Sequence, residues 1–405
     1  MISIFKKCGE YTLAKEAIAQ GIYPYFHELE SRPDTEVIMD GKRQIMMGSN
    51  NYLSLTTHPE VIEASIKATE KYGTGCSGSR FLNGTLDLHN QLEEELAAFM
   101  RAEAALTFST GFQSNLGIIT AIADKNAFLL SDEENHASII DACRLTKAKI
   151  VVYKHSDMAD LEEKLKAIPL EADKLLVTDG VFSMSGDICK LPEIVALAKQ
   201  YNCATMVDDA HGFGVIGEGG RGTASYFGLE GQVDLIMGTF SKSLASLGGY
   251  VVANQEIIHY IKHNSRPFIF SASIPPASCA AALAALRVIV KEPQRVKRLN
   301  DLAKYMREGL TSRGVKIKEG TTPIIPFFTY DMVSTLVTNK YLFEAGVYVN
   351  PVLPPAVPPA ECMLRCSLMA DHTEALIDEA CEIISQVTQK VASAKAAGMF
   401  DKFKL

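Results

Sequence analysis

An α/β fold is what this 405-residue sequence predicts, with a large domain on a mostly parallel sheet and a smaller α+β domain towards the C-terminus. Three observations predict it. Short apolar segments alternate with amphipathic ones through the middle of the chain. The texture changes near Arg313. The chain is also longer than one compact domain usually holds. The boundaries expected are an N-terminal arm over 1–48, a large domain over 49–290 and a small domain over 291–405.

The large domain is read from its strands. Apolar segments predict them at Phe128–Leu130, Ile150–Tyr153, Leu175–Asp179, Thr205–Asp208, Leu235–Gly238 and Tyr250–Ala253. Between them, Met158–Ala167 and Leu191–Tyr201 carry apolar residues at three- and four-residue intervals, the helical spacing. Strands alternating with helices imply a sheet covered on both faces. A long helical region follows from about Pro275 to Arg313. Beyond it, short strands near Ile324–Phe328, Val347–Asn350 and Leu364–Leu368 alternate with helices ending at Val391. Prolines crowd Pro351 to Pro359, which predicts an exposed, stiff loop.

Composition narrows the function classes. Hydrophobic residues make up 47% and charged residues 22%, the balance of a soluble globular protein. A net charge of −8 and a pI near 5.7 argue against nucleic acid, which calls for a basic stripe. Nine cysteines show neither a CxxC pair nor a His/Cys cluster at metal spacing. Buried reduced thiols, a cytoplasmic location and no metal are therefore expected. The opening MISIFKKCGEYTLAKEAIAQ lacks the continuous apolar core of a leader. The longest apolar stretch, Cys279 to Val290, is too short to span a membrane.

Chemistry is sought beyond the carboxyl ends of the strands, where open α/β sheets bind ligands. In MVDDAHGFGVIG (Met206–Gly217) a strand ends in Asp208 and Asp209, with His211 close behind. A buried carboxylate there can hold a proton on a heterocyclic nitrogen, although a strand-terminal Asp caps a turn equally well. In GTFSKSLASLGGY (Gly238–Tyr250) a strand runs into Thr239, Ser241 and Lys242, then a glycine pair. Hydroxyls and turn N–H groups suit a phosphate dianion, and a lysine among them can form an imine with an aldehyde cofactor. The competing reading, a solvated surface lysine, does not explain that order of residues. In FSTGFQSN (Phe108–Asn115), Gly111 and Phe112 would open a helix whose N-terminal amides favour an anion. His136 lies at another strand end, able to cover a cofactor ring or to cap the next helix.

In this order the motifs resemble the fold-type I, aspartate-aminotransferase-like pyridoxal-phosphate enzymes. Within them the chain is similar to the α-oxoamine synthase family, which condenses an amino acid with an acyl-CoA and releases carbon dioxide. GTGCSGSRFLNGTLDLH (Gly73–His89), TDGVFSMSGD (Thr178–Asp187), DLIMGTFSKSLASLGGY (Asp234–Tyr250) and NPVLPPAVPP (Asn350–Pro359) carry the resemblance, which covers nearly the whole chain. It implies pyridoxal 5'-phosphate held by Lys242 as a Schiff base, with Lys242 moving protons at the substrate α-carbon. It implies Asp208 at the pyridine nitrogen, His211 at the phenolic oxygen and His136 over the ring, His136 and Lys242 being the catalytic pair. Gly111, Phe112, Thr239 and Ser241 would meet the phosphate, and Ser183 would lie beside the cofactor. Arg365 would bind the amino-acid carboxylate with help from Asn50. A surface ion pair is the alternative for Arg365. Ser271 and Ala272 in FSAS would reach the phosphate from a second subunit, giving a homodimer with a shared site. Ala272 departs from relatives that carry a hydroxyl or amide there, so its contact would be through backbone.

The resemblance further implies L-serine and a long-chain acyl-CoA as substrates, on SGSRFLNGTLD and FSASIPPAS (Phe270–Ser278). Glycine with acetyl-CoA, or formation of 8-amino-7-oxononanoate, are the rivals; those branches differ from this chain over Gly73–Gly84. A regulatory or non-catalytic subunit would be expected to lack Lys242, which is present. A lipid product implies contact with a membrane surface, expected to be the inner membrane, and Ile4-Phe5-Lys6-Lys7 could supply it. An N-terminal helix packed on the dimer is the preferred reading of that segment.

Overall fold

The computed structural model of the protein describes residues 2–400; the closing KFKL lies outside them. In chain order the strands are β1 (Glu36–Met39), β2 (Lys42–Met46), β3 (Ala104–Phe108), β4 (Phe128–Asp132), β5 (Lys149–Tyr153), β6 (Lys174–Asp179), β7 (Ala204–Asp208), β8 (Leu235–Thr239), β9 (Gly249–Ala253), β10 (Ile324–Phe328), β11 (Val347–Tyr348), β12 (Asn350–Val352) and β13 (Met363–Ser367). Two compact units divide the chain: Asn50–Asn300, and the residues before it together with those from Asp301 onward.

The Asn50–Asn300 unit is organised on a seven-stranded sheet of order β3-β9-β8-β7-β6-β4-β5. β4 to β8 are mutually parallel, and only β9 runs against its neighbours β8 and β3. A parallel return needs a crossover of a dozen or more residues. Phe240 to Gly248 is too short for that, so β9 must turn back beside β8 and the loop carrying Lys242 stays at the carboxyl end of the sheet. Every residue of β6 is buried, the mark of a strand covered on both faces. One face of the core joins Leu175, Val177, Met206 and Met237 to Ile118, Ile119, Ile139 and Ile258 from three helices.

Most expected elements form with ends shifted by a residue or two, while the last helix runs past the expected Val391. The helices are Met158–Lys166 and Leu191–Gln200, and the last helix extends to Ala396. The long helical region is two helices, Pro276–Lys291 and Gln294–Ser312, because Pro293 removes a backbone donor between them. β3 is absent from the sequence reading. Ala104 and Ala105 continue an alanine-rich helical pattern, and only pairing with β9 draws them into a strand.

In the other unit β1 and β2 form a hairpin whose turn residues Asp40 and Gly41 have φ of 48° and 71°. Asp-Gly flanked by alternating apolar residues is the signal for that turn and could have been read. β2 also pairs in parallel with β11, and a second sheet has the order β10-β13-β12. The strand expected over Val347–Asn350 is thus split between two sheets. Pro351, expected in a loop, is in β12 opposite Leu364. It is tolerated because β12 is an edge strand, where a missing N–H leaves no ladder bond broken. The prolines from Pro354 to Pro358 do lie in a loop.

Seven of the nine cysteines are buried thiols, whereas Cys8 is exposed and Cys76 half-buried. Among the described residues no helix is long and apolar enough to cross a membrane, and no cluster of three potential metal ligands occurs.

Candidate active site

A cavity of about 220 Å³ opens at the carboxyl ends of β6, β7 and β8 in the Asn50–Asn300 unit. Nine of the residues expected at the site line it: Gly111, Phe112, His136, Ser183, Asp208, His211, Thr239, Ser241 and Lys242. Thr110, Asn115, Ser138 and Asp179 join them.

One end of the cavity suits an oxyanion. The helix Gly111–Ile122 begins here, and Thr110 caps it by accepting from Gln113 N at 3.1 Å. Its first amides carry the positive end of the helix dipole. Thr239 Oγ1 lies 2.9 Å from Ser241 Oγ and donates to Gly248 O at 3.0 Å. A Cβ on Gly111 would stand 2.7 Å from Thr239 Oγ1, so glycine is needed where helix and strand end approach. This is a cradle of hydroxyls and free amides for a phosphate.

The other end is acidic and buried. Asp208 ends β7 with 3% exposure, held by Asn115 Nδ2 at 2.7 Å and Ala210 N at 3.0 Å. Asp179 stands directly opposite it at the end of β6. Burial, and then the neighbouring Asp208 charge, push the Asp179 carboxyl well above the usual range. Asp179 also accepts the His136 N–H at 2.9 Å. Burial, with the Lys242 charge adding and Asp208 opposing, lowers the His136 imidazole below its ordinary value. His136 both caps the helix Ala137–Leu145, through Nδ1 and Ser138 N, and lines the cavity. The two local readings of His136 are therefore compatible.

His211 Nδ1 is 2.7 Å from Tyr52 Oη, and Tyr52 reaches Asn50 Oδ1 at 3.5 Å. Asn50 is thereby tied to the cavity wall through Tyr52, a link no local spacing announces. Ser271 and Ala272 do not line this cavity. They border a small separate pocket, where Gln113 Nε2 donates to Ser271 Oγ and Ser109 Oγ donates to Ala272 O. Arg365 belongs to the other unit, on the central strand β13, 4% exposed, with Nη1 donating to Ser367 Oγ at 2.6 Å. Its burial excludes a surface ion pair.

Pyridoxal phosphate fits these residues: an anion cradle at one end, a buried carboxylate at the other and a lysine on the wall between loop and strand. Sequence reasoning missed Asn115, Ser138 and Asp179, whose neutral or strand-end character gives no local signal. It also gave Asp209 no role. Asp209 is fully buried and accepts Thr223 N at 2.7 Å and Thr223 Oγ1 at 2.6 Å. Burial, with Asp208 adding and Thr223 opposing, pushes its carboxyl up to about 6. It fastens the loop after β7.

The aminotransferase class I and II family matches residues 42–384. Serine palmitoyltransferase of Sphingobacterium spiritivorum is 50% identical over 94% of this chain and 96% of its own. 8-Amino-7-oxononanoate synthase of Treponema denticola is 44% identical over 93% of this chain and 96% of its own. A high-resolution structure of serine palmitoyltransferase with its pyridoxal-phosphate internal aldimine superposes with a TM-score of 0.93 at 36% identity, covering 97% of this chain and 99% of that one. With the anion cradle, the strand-end carboxylate and Lys242 set at the sheet's carboxyl edge, this chain belongs to the pyridoxal-phosphate-dependent aminotransferase class I and II family, in its α-oxoamine synthase branch.

Proposed function

We propose that this protein is a serine C-palmitoyltransferase, joining L-serine to a long-chain acyl-CoA to give 3-ketodihydrosphingosine, CoA and carbon dioxide. One observation carries the reading: Lys242 and Asp208 line the same cavity as an anion cradle, in a chain half identical to enzymes of that name.

Thr239, Ser241 and the first amides of the helix Gly111–Ile122 would hold the phosphate, and Lys242 would hold the aldehyde end through its amine. When bound, pyridoxal phosphate supplies an electron sink that acidifies the hydrogen on the amino acid's α-carbon. Asp208 would keep a proton on the ring nitrogen by offering it a buried carboxylate. His136 would cover the bound ring and keep water from it, and Ser183 and His211, which line the same cavity, would border it. Lys242 takes the α-proton and later returns one to the product, as an amine base and its conjugate acid. Arg365 orients the serine carboxylate by paired hydrogen bonds that a lysine could not match, assisted by Asn50. Ser271 and Ala272 would reach the phosphate of a second copy, making the working form a homodimer. Ile4 and Phe5 are exposed beside Lys6 and Lys7, which suits contact with a membrane surface holding such a product.

The purified full chain with pyridoxal phosphate should release CoA fastest from L-serine and palmitoyl-CoA. A preference for alanine with pimeloyl-CoA would overturn this in favour of the 8-amino-7-oxononanoate reaction, whose enzymes are 44% identical. Lys242→Ala should abolish turnover and the visible absorption of the bound cofactor.

A further inference from the structure

Asn115 lines the cavity from the helix after β3 with no solvent exposure. Its Nδ2 is 2.7 Å from Asp208 Oδ2 and 2.8 Å from Ser138 Oγ. An ionised carboxylate only accepts, so the group facing Asp208 is the amide's NH2 and not its carbonyl. Both hydrogens of that NH2 are then committed, one to each neighbour. Ser138 Oγ accepts one and lies 2.7 Å from His136 Nδ1, placed to donate its own hydrogen there. The Ser138 N–H points at the same nitrogen from 3.3 Å. A ring nitrogen that receives two donors carries no hydrogen itself.

We infer that Asn115 is a positioning residue: through Ser138 it fixes His136 as a neutral imidazole with its hydrogen on Nε2, while its other N–H orients Asp208. Of the charged groups around His136, Lys242 favours that neutral state and Asp208 opposes it, and burial outweighs Asp208. Asp208 from β7 and Lys242 from the loop after β8 line its cavity, and Asp179 from β6 accepts its backbone N–H. The arrangement leaves Asn115 Oδ1 buried without a hydrogen-bond partner, a loss a leucine would avoid and a sign that the NH2 group is what the site uses. Whatever His136 meets in the cavity is therefore offered an N–H donor that bears no full charge. This deepens the reading of the site as a pyridoxal-phosphate centre and rests on it only for the use made of that donor.

The test is nitrogen NMR of the full chain labelled with nitrogen-15 histidine, recorded with and without pyridoxal phosphate between about pH 6 and 8. His136 of the unsubstituted protein should show a bare Nδ1 and a protonated Nε2 across the range. Ser138→Ala should mix the two tautomers and bring the ring's titration into that window, and Ser138→Thr should restore the single tautomer. Asn115→Leu should do the same to the ring and also weaken pyridoxal phosphate binding by about tenfold, since Asn115, unlike Ser138, donates to Asp208. A hydrogen on Nδ1 in the unsubstituted protein, or a Ser138→Ala protein with unchanged tautomer and titration, would overturn the inference. Failure of the acyltransfer assay alone would leave the NMR result standing and count against the functional reading instead.

Discussion

His155 sits where three carboxylates converge: Nδ1 is 3.0 Å from Asp132 Oδ1, and Nε2 is 3.6 Å from Glu134 and 3.7 Å from Asp187. Burial alone would lower its imidazole, but hydrogen bonds to Asp132 and Asp187 and the charges of Asp132 and Glu134 outweigh that and lift it to about 10. A folded-state value above the ordinary 6.5 means a stabilisation complete below 6.5 and lost as pH rises through about 10. Urea denaturation should show His155→Gln less stable than the native chain near neutrality, with the gap closing towards pH 10; a gap that stays constant would mean the imidazole is neutral throughout. Arg80 poses a different question. Its guanidinium makes a bidentate pair with Glu93 at 2.7 and 3.0 Å, both residues being buried, and Glu93 also accepts from Thr107 N at 2.8 Å. Removing one partner strands the other's charge, so Arg80→Ala should cost about 3–5 kcal/mol, whereas Arg80→Met with Glu93→Leu should recover most of it. Chemical denaturation checks both. Arg80 was legible only as part of a motif; that its partner is Glu93 follows from the helix Asp87–Phe99 packing beside β3, which residue types do not report.

At the scale of elements, the junction between β8 and the helix Gly111–Ile122 decides whether a phosphate can be held. Gly111→Ala would bring a methyl group to 2.7 Å from Thr239 Oγ1 and push the helix start off the strand end. Pyridoxal phosphate affinity should fall by roughly tenfold, about 1.4 kcal/mol, with little change in global stability; spectroscopic titration reads this. Thr110→Ala removes the cap on the same helix and should cost about 1 kcal/mol of stability. The strands that carry the chemistry were legible because each is a compact apolar run closed by a polar residue. β3 was not, since its alanines favour a helix until β9 pairs with them, and neither was the split at Val349 between β11 and β12.

For the whole molecule, a ligand that binds only the folded chain stabilises it by mass action, by about 2.7 kcal/mol at a hundredfold excess over its dissociation constant. Scanning calorimetry should show pyridoxal phosphate raising the unfolding temperature of the native chain, and raising that of Asp208→Ala less; equal shifts would place the cofactor away from Asp208. The sequence by itself determined the α/β class and singled out Lys242 and the strand-end residues that line the cavity, because hydrophobic period and residue type act locally along the chain. Only the tertiary structure decided that Asn115 and Ser138 meet Asp208 and His136, that Tyr52 joins Asn50 to His211, and that Asp209 fastens a loop. Those partners stand up to 159 positions apart. Hydrogen bonds between side chains far apart in the chain leave no periodic trace in a sequence, so burial and distance alone disclose them.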